Sequence, residues 1–180
     1  MSVSTVAWIV LGAAILLAAY RLIGAWVRYR GARVITCPEN QRPAGVHVDV
    51  GHAALTALGA APDVRLNECS RWPEKQGCGQ ECLRELRNAP EDCLVRNILV
   101  RWYAGKECAI CGKPIGDIVA AGAKPALLTK DKVTREWSET PPELLREILA
   151  SAQPVCFSCH TASTFARQHP ELIVNRARPA

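Results

Sequence analysis

A chain of 180 residues has room for a membrane anchor and one modest folded domain, or for two very small ones. Its net charge of +5 is uneven: residues 1–33 carry four Arg and no acid, residues 34–97 are net acidic, and residues 98–180 carry eleven basic and eight acidic side chains. A scattered excess of that size argues against a dedicated nucleic-acid surface, and an odd count of nine cysteines disfavours a framework made only of disulfides.

The first element is apolar. No charged side chain occurs from Met1 to Tyr20, and Val6 to Ala19 is almost wholly hydrophobic. About 20 helical residues cross a bilayer core. Arg21 sits near one end of this stretch, where its stem can snorkel to the headgroups, and Trp26 and Tyr29 suit the interfacial aromatic belt. With no basic segment before the apolar run and no small-x-small cleavage site after it, the segment reads as an uncleaved anchor. Arg28, Arg30 and Arg33 all follow the span, so the expected topology has the N-terminus outside and the bulk of the chain cytoplasmic.

The soluble part reads as α+β, a small Cys-rich domain of short strands and helices stabilised by metal. Short strands are expected at Arg33–Cys37 and Val46–Val50, with Pro38, Asn40, Pro43 and Gly45 in the turn between them. A short helix is expected over His52–Leu58, and a third strand over Val64–Cys69. Helices follow at Gln80–Asn88 and at Glu91–Tyr103, the second with Pro90 before its acidic first turn and Gly105 past its end.

This first half holds five cysteines. Cys37 and Cys69 each close an expected strand, and Cys78 and Cys82 would share a helix face, so Cys37, Cys69, Cys78 and Cys82 can be drawn as a four-thiolate site. Their spacing matches no standard zinc signature and no ferredoxin pattern, and two disulfides or free buried thiols answer the same residues. His47 and His52 are substitute ligands on paper. Cys93 falls inside the apolar helix and reads as a core residue.

Beyond Gly105 the chain supplies two Cys-x-x-Cys pairs, Cys108-Ala-Ile-Cys111 and Cys156-Phe-Ser-Cys159. A hairpin is expected between them over Ala126–Thr129 and Val133–Trp137. A helix should follow, opened by a Thr140–Glu143 capping box and ended before Pro154, and a last helix should start at Cys159. Two thiolates so spaced reach one ion, and two pairs complete a closed tetrahedral zinc site. Gly112 after the knuckle tolerates the positive φ that turns backbone amides toward sulfur, and a helix N-terminus favours thiolate.

The order of pair, hairpin, helix, pair and helix resembles the treble-clef and zinc-ribbon class of zinc fingers over roughly residues 106–169. The matching residues are Cys108, Cys111 and Gly112 for the knuckle, and Cys156 and Cys159 for the second pair. The 44 residues between the pairs exceed a compact ribbon. That class includes HNH-type nucleases, which need further catalytic histidines; none lies between Cys111 and Cys159, so nuclease activity is not carried across.

Cys156, Cys159 and His160 also satisfy the Cys-x-x-Cys-His string of covalent haem attachment, which would require the opposite side of the membrane. Met1 is the sole methionine, so a second axial ligand would have to be His47, His52 or His169. A thiol-exchange or metal-transfer role through Cys108 and Cys111 is a further alternative.

No glycine-rich phosphate loop, hydrolase triad or acid–base carboxylate pair is legible. The expected organisation is an anchor and juxtamembrane segment over 1–33, a Cys-rich region over 34–105 and a zinc module over 106–180. The expected role is a non-catalytic interaction or assembly module that holds one Zn2+, with room for a second, beside the lipid bilayer. It would meet a protein partner there, with neither nucleic acid nor a small-molecule substrate.

Overall fold

A computed structural model describes residues 2–59, 61–75, 77–116, 118 and 124–173. It is mixed helix and strand, dividing into a unit of Met1–Ile98 and a unit of Leu99–Ala180. Residues 174–180 of the expected C-terminal module lie outside the described set.

Helix α1 runs from Val3 to Tyr29, capped by the Ser2 hydroxyl on the amide of Thr5. Its 27 residues make it long and apolar enough to cross a membrane. Only its last turns join a core. Leu22, Ala25 and Tyr29 recur at helical spacing and pack with Ala53, Ala54 and Ala57. Those alanines come from α2 (Val50–Thr56) and the residue that ends it, and Asp49 caps α2 through the His52 amide at 2.9 Å.

The rest of the first unit is a three-stranded antiparallel sheet, β1 (Arg33–Thr36), β2 (Pro43–Val48) and β3 (Leu66–Cys69), in the order β1-β2-β3. Strand β2 starts earlier than its alternating pattern suggested. Pro43 pairs with Thr36 at the first position of the strand, where a missing N–H costs no central ladder bond. Helix α3 is shorter than expected, Leu83–Asn88, because Cys82 is its N-cap and Gln80 has a φ of 56°. Cys78 and Cys82 therefore do not share a helix face.

Helix α4 likewise begins late, at Val95. Leu94 bridges to Arg33 and the Cys93 carbonyl accepts from the Val34 amide at 2.8 Å, so the preceding residues are taken up by the edge of β1. Cys93 is a core residue at 2% exposure, but it lies in a bend before the helix rather than within it.

Among the described residues, one polar side chain is wholly enclosed. Arg33, 0% exposed, donates from its guanidinium to the carbonyls of Pro90 and Arg28. Desolvation lowers its pKa from the usual value, with Glu91 opposing. A residue that reads in the sequence as a flanking charge thus ties the end of α1 to the segment before α4.

The second unit contains β4 (Ala126–Leu128), β5 (Thr134–Glu136), α5 (Leu145–Ser151), β6 (Gln153–Val155) and α6 (Phe157–Gln168). Strands β4 and β5 form the expected hairpin. Asp131 organises its turn: hydrogen bonds from the Thr129 hydroxyl and Arg135 hold its carboxyl down at about 2. The capping box does not form, since Pro142–Leu144 is a 3-10 turn with no side-chain cap before α5 starts at Leu145.

Strand β6 pairs with β4 as the edge of a β5-β4-β6 sheet, in a place where Pro154 was expected only to stop a helix. An edge position is where proline is tolerated in a sheet. The core is small: Ala126, Leu127, Val155, Leu145 and Leu149, with Leu99 and Tyr103 from α4. The Tyr103 hydroxyl donates to the Ala126 carbonyl at 2.9 Å.

Candidate metal centre

The first cysteine pair lies on a tight turn closed by short-range hydrogen bonds. Glu107 bridges to Pro114, the Cys108 amide donates to the Lys113 carbonyl at 2.9 Å, and Gly112 returns to the Cys108 carbonyl at 2.8 Å. Gly112 has a φ of +69°, the left-handed conformation that glycine adopts without strain. The turn points the amides of Ile110 and Cys111 at the Cys108 sulfur.

The second pair arrives on two elements. Val155 ends β6, Cys156 is the N-cap of α6, and Cys159 lies in the first helical turn. The Ala109 amide donates to the Pro154 carbonyl at 2.8 Å, which fastens the knuckle to β6. The Cys156 amide donates to the Cys108 sulfur at 3.3 Å. The missed strand is therefore what brings the pairs together. Its only sequence signal was the Pro154-Val155 step next to Cys156.

The four sulfurs of Cys108, Cys111, Cys156 and Cys159 all lie within 4.8 Å of one another, with Cys111 and Cys156 at 3.8 Å. Zn–S bonds of about 2.3 Å in a tetrahedron separate their sulfurs by about 3.8 Å, so the group has the spacing of one ion. Among the described residues it is the one such group of three or more potential ligands.

Burial pushes the Cys108 thiol up, but the amides of Cys156, Cys111 and Ile110 outweigh it and bring it to about 6. Burial and the neighbouring sulfurs push Cys159 up to about 12. The Cys108 thiolate is thus readily formed, and Cys159 resists ionisation until a cation shares the site. Cys108 is 2% exposed, Cys156 and Cys159 are half-buried, and Cys111 is exposed.

His160, third residue of the haem-type string, is 8% exposed, and its Nδ1 lies 3.0 Å from the Thr134 hydroxyl. That bond ties α6 to β5 directly behind the second pair, a contact with no sequence signature. Thr134→Val is expected to lower thermal stability by about 1–3 kcal/mol through the unpaired imidazole, with metal content unchanged. Loss of metal in that variant would instead make the Thr134–His160 bond part of ligand placement.

The other expected group is arranged differently. Cys37, Cys69, Cys78 and Cys82 are unpaired half-buried thiols that line one cavity, and no three of their sulfurs lie within 4.8 Å of one another. His47 and His52 join neither group, and the His52 Nε2 is 2.8 Å from Asp63. No protein-family model, no curated protein and no solved structure matches this chain.

Proposed function

We propose that this chain is a membrane-anchored zinc protein whose cytoplasmic part serves as a non-catalytic interaction or assembly module. The single observation that carries the reading is the set of four cysteine sulfurs at one-ion spacing. Four protein thiolates around zinc leave no position for a substrate or an activated water, which makes such a site structural.

The same geometry weighs against the alternatives. Covalent haem needs Cys156 and Cys159 for its vinyl groups and His160 as axial ligand, yet the two sulfurs sit among those of Cys108 and Cys111 and His160 is buried against Thr134. Thiol exchange needs an accessible low-pKa thiolate, whereas Cys108, the thiol brought down to about 6, is enclosed.

Helix α1 supports the anchor. Its apolar stretch is exposed, and the turns from Leu22 onward are the ones that meet the folded unit. Residues 3–20 then span about 27 Å at 1.5 Å per residue, close to the about 30 Å of a hydrocarbon core. Arg21 falls at the boundary, and Arg30 stacks over Trp26 at 4.9 Å, as suits a headgroup layer.

Protease protection of the full chain in sealed vesicles tests the topology. Residues 34–180 should survive in right-side-out vesicles and be cut in inside-out ones. Cross-linking in the same membranes should trap a protein neighbour that Cys108→Ser loses while α1 remains embedded. Digestion in right-side-out vesicles, or a neighbour retained without the metal, would overturn the proposal.

A further inference from the structure

We propose that Cys37, Cys69, Cys78 and Cys82 hold an iron–sulfur cluster, a second and chemically different centre from the four-cysteine site of the second unit. Strand register places the first two thiols. Ile35 pairs with Ala44 and Val46 pairs with Cys69, so Ile35, Ala44, Val46 and Cys69 occupy one face of the sheet. Cys37 lies two residues beyond Ile35 on the same side. That face is the buried one, so both sulfurs approach the interior from strand ends on either side of β2.

The other two come from the segment leading into α3, which is pinned at both ends. The Gln80 side-chain carbonyl accepts from the Leu66 amide at 2.8 Å, and Glu85 accepts from the Thr36 amide at 2.8 Å. Cys78 and Cys82 are thereby held over the sheet face that carries Cys37 and Cys69. All four line a cavity of about 340 Å3.

Sulfur spacing separates the two centres. Where one ion is shared, the four sulfurs must close to about 3.8 Å, as those of the second unit nearly do. In the first unit no three sulfurs come within 4.8 Å of one another. In an iron–sulfur cluster the thiolates divide among different irons, with inorganic sulfide between them, so they ring a volume rather than converge on a point.

The donors around these sulfurs fit the same chemistry. Arg71 donates to the Cys37 sulfur at 3.1 Å, the amides of Glu39 and Asn40 face the same atom, and the Gln80 amide reaches Cys78 at 3.5 Å. N–H···S bonds and nearby cations, here Arg71 and Lys75 on the cavity wall, compensate the negative charge of a thiolate-bound cluster.

The test uses the full chain in detergent, purified under argon and incubated with sulfide and a mixture of ferric and ferrous iron, so that the ferric ions of a brown cluster are supplied as such, with iron, acid-labile sulfide, zinc and visible absorption measured together. Iron and sulfide are expected in equal amounts with a broad brown absorption. Cys37→Ser and Cys69→Ser should lose both while keeping zinc, so that retained zinc shows the second unit is folded. Cys108→Ser should lose zinc and keep iron and sulfide. A second zinc with no sulfide would overturn the proposal in favour of a closed mononuclear site. No iron, with the four thiols alkylated only after reduction, would overturn it in favour of disulfides.

Discussion

Cys108→Ser and Cys156→Ser are each expected to unfold the second unit. Serine is nearly isosteric with cysteine, so a purely packing role would cost little. Structural zinc contributes roughly 10–16 kcal/mol in small domains, whereas a whole domain has a net stability of about 5–15 kcal/mol. The second unit has little else to draw on. Its three-stranded sheet is made of three-residue strands, and its buried aliphatic side chains are few. Losing one ligand also leaves the three remaining thiols packed together with no cation to hold them as thiolates. Amide hydrogen exchange reads the result. Ala126, Leu127 and Val155 should lose protection in either variant, as they should when a strong chelator strips the wild type. Unchanged exchange in both variants would show that the fold does not depend on the site.

The second large effect is expected at Arg33. Its guanidinium is enclosed and donates to two main-chain carbonyls, those of Arg28 and Pro90. Arg33→Met keeps most of the apolar stem and removes both donors. Hydrogen bonds from charged groups contribute about 1.5–3 kcal/mol each, and the abandoned carbonyls stay buried, so a loss of about 3 kcal/mol is expected for the first unit. Arg33→Lys should recover only part of it, because an ammonium lacks the planar fork that reaches both carbonyls. Denaturant titration followed by exchange at Val34 and Ile35 measures the change. A shift below about 0.5 kcal/mol would mean that water replaces the guanidinium at both carbonyls.

What the sequence conveyed well was local. The knuckle at Cys108–Gly112 is written in four consecutive constraints: two ligands, their spacing, and a glycine where φ must be positive. The long apolar run of α1 and the β4–β5 hairpin were legible for the same reason, since each is set by neighbours along the chain. What failed was non-local. Strand β6 is hidden because Pro154 argues against a strand unless its partner is known to lie on one side only. The Glu91–Leu94 stretch has helical signals, yet β1 offers the Cys93 carbonyl and Leu94 a better set of partners. Thr140 and Glu143 spell a capping box that the two prolines between them convert to a 3-10 turn.

Charge was misleading in one place. Arg33 counts toward the basic cluster beside the anchor, but it is spent inside the fold, which leaves Arg28 and Arg30 as the exposed basic residues just past the span. The four cysteines of the first unit show the opposite case. No linear spacing joins them, because two come from strand ends separated by β2 and two from a segment pinned through Gln80 and Glu85. Only the pairing register puts them around one space.

The central claim is that Cys108, Cys111, Cys156 and Cys159 bind one zinc ion. Zinc-edge X-ray absorption on the purified full chain tests it directly. The expected result is zinc with a first shell of four sulfurs at about 2.3 Å, lost in Cys156→Ser. A shell containing nitrogen or oxygen, or a chain that carries no zinc, would contradict it.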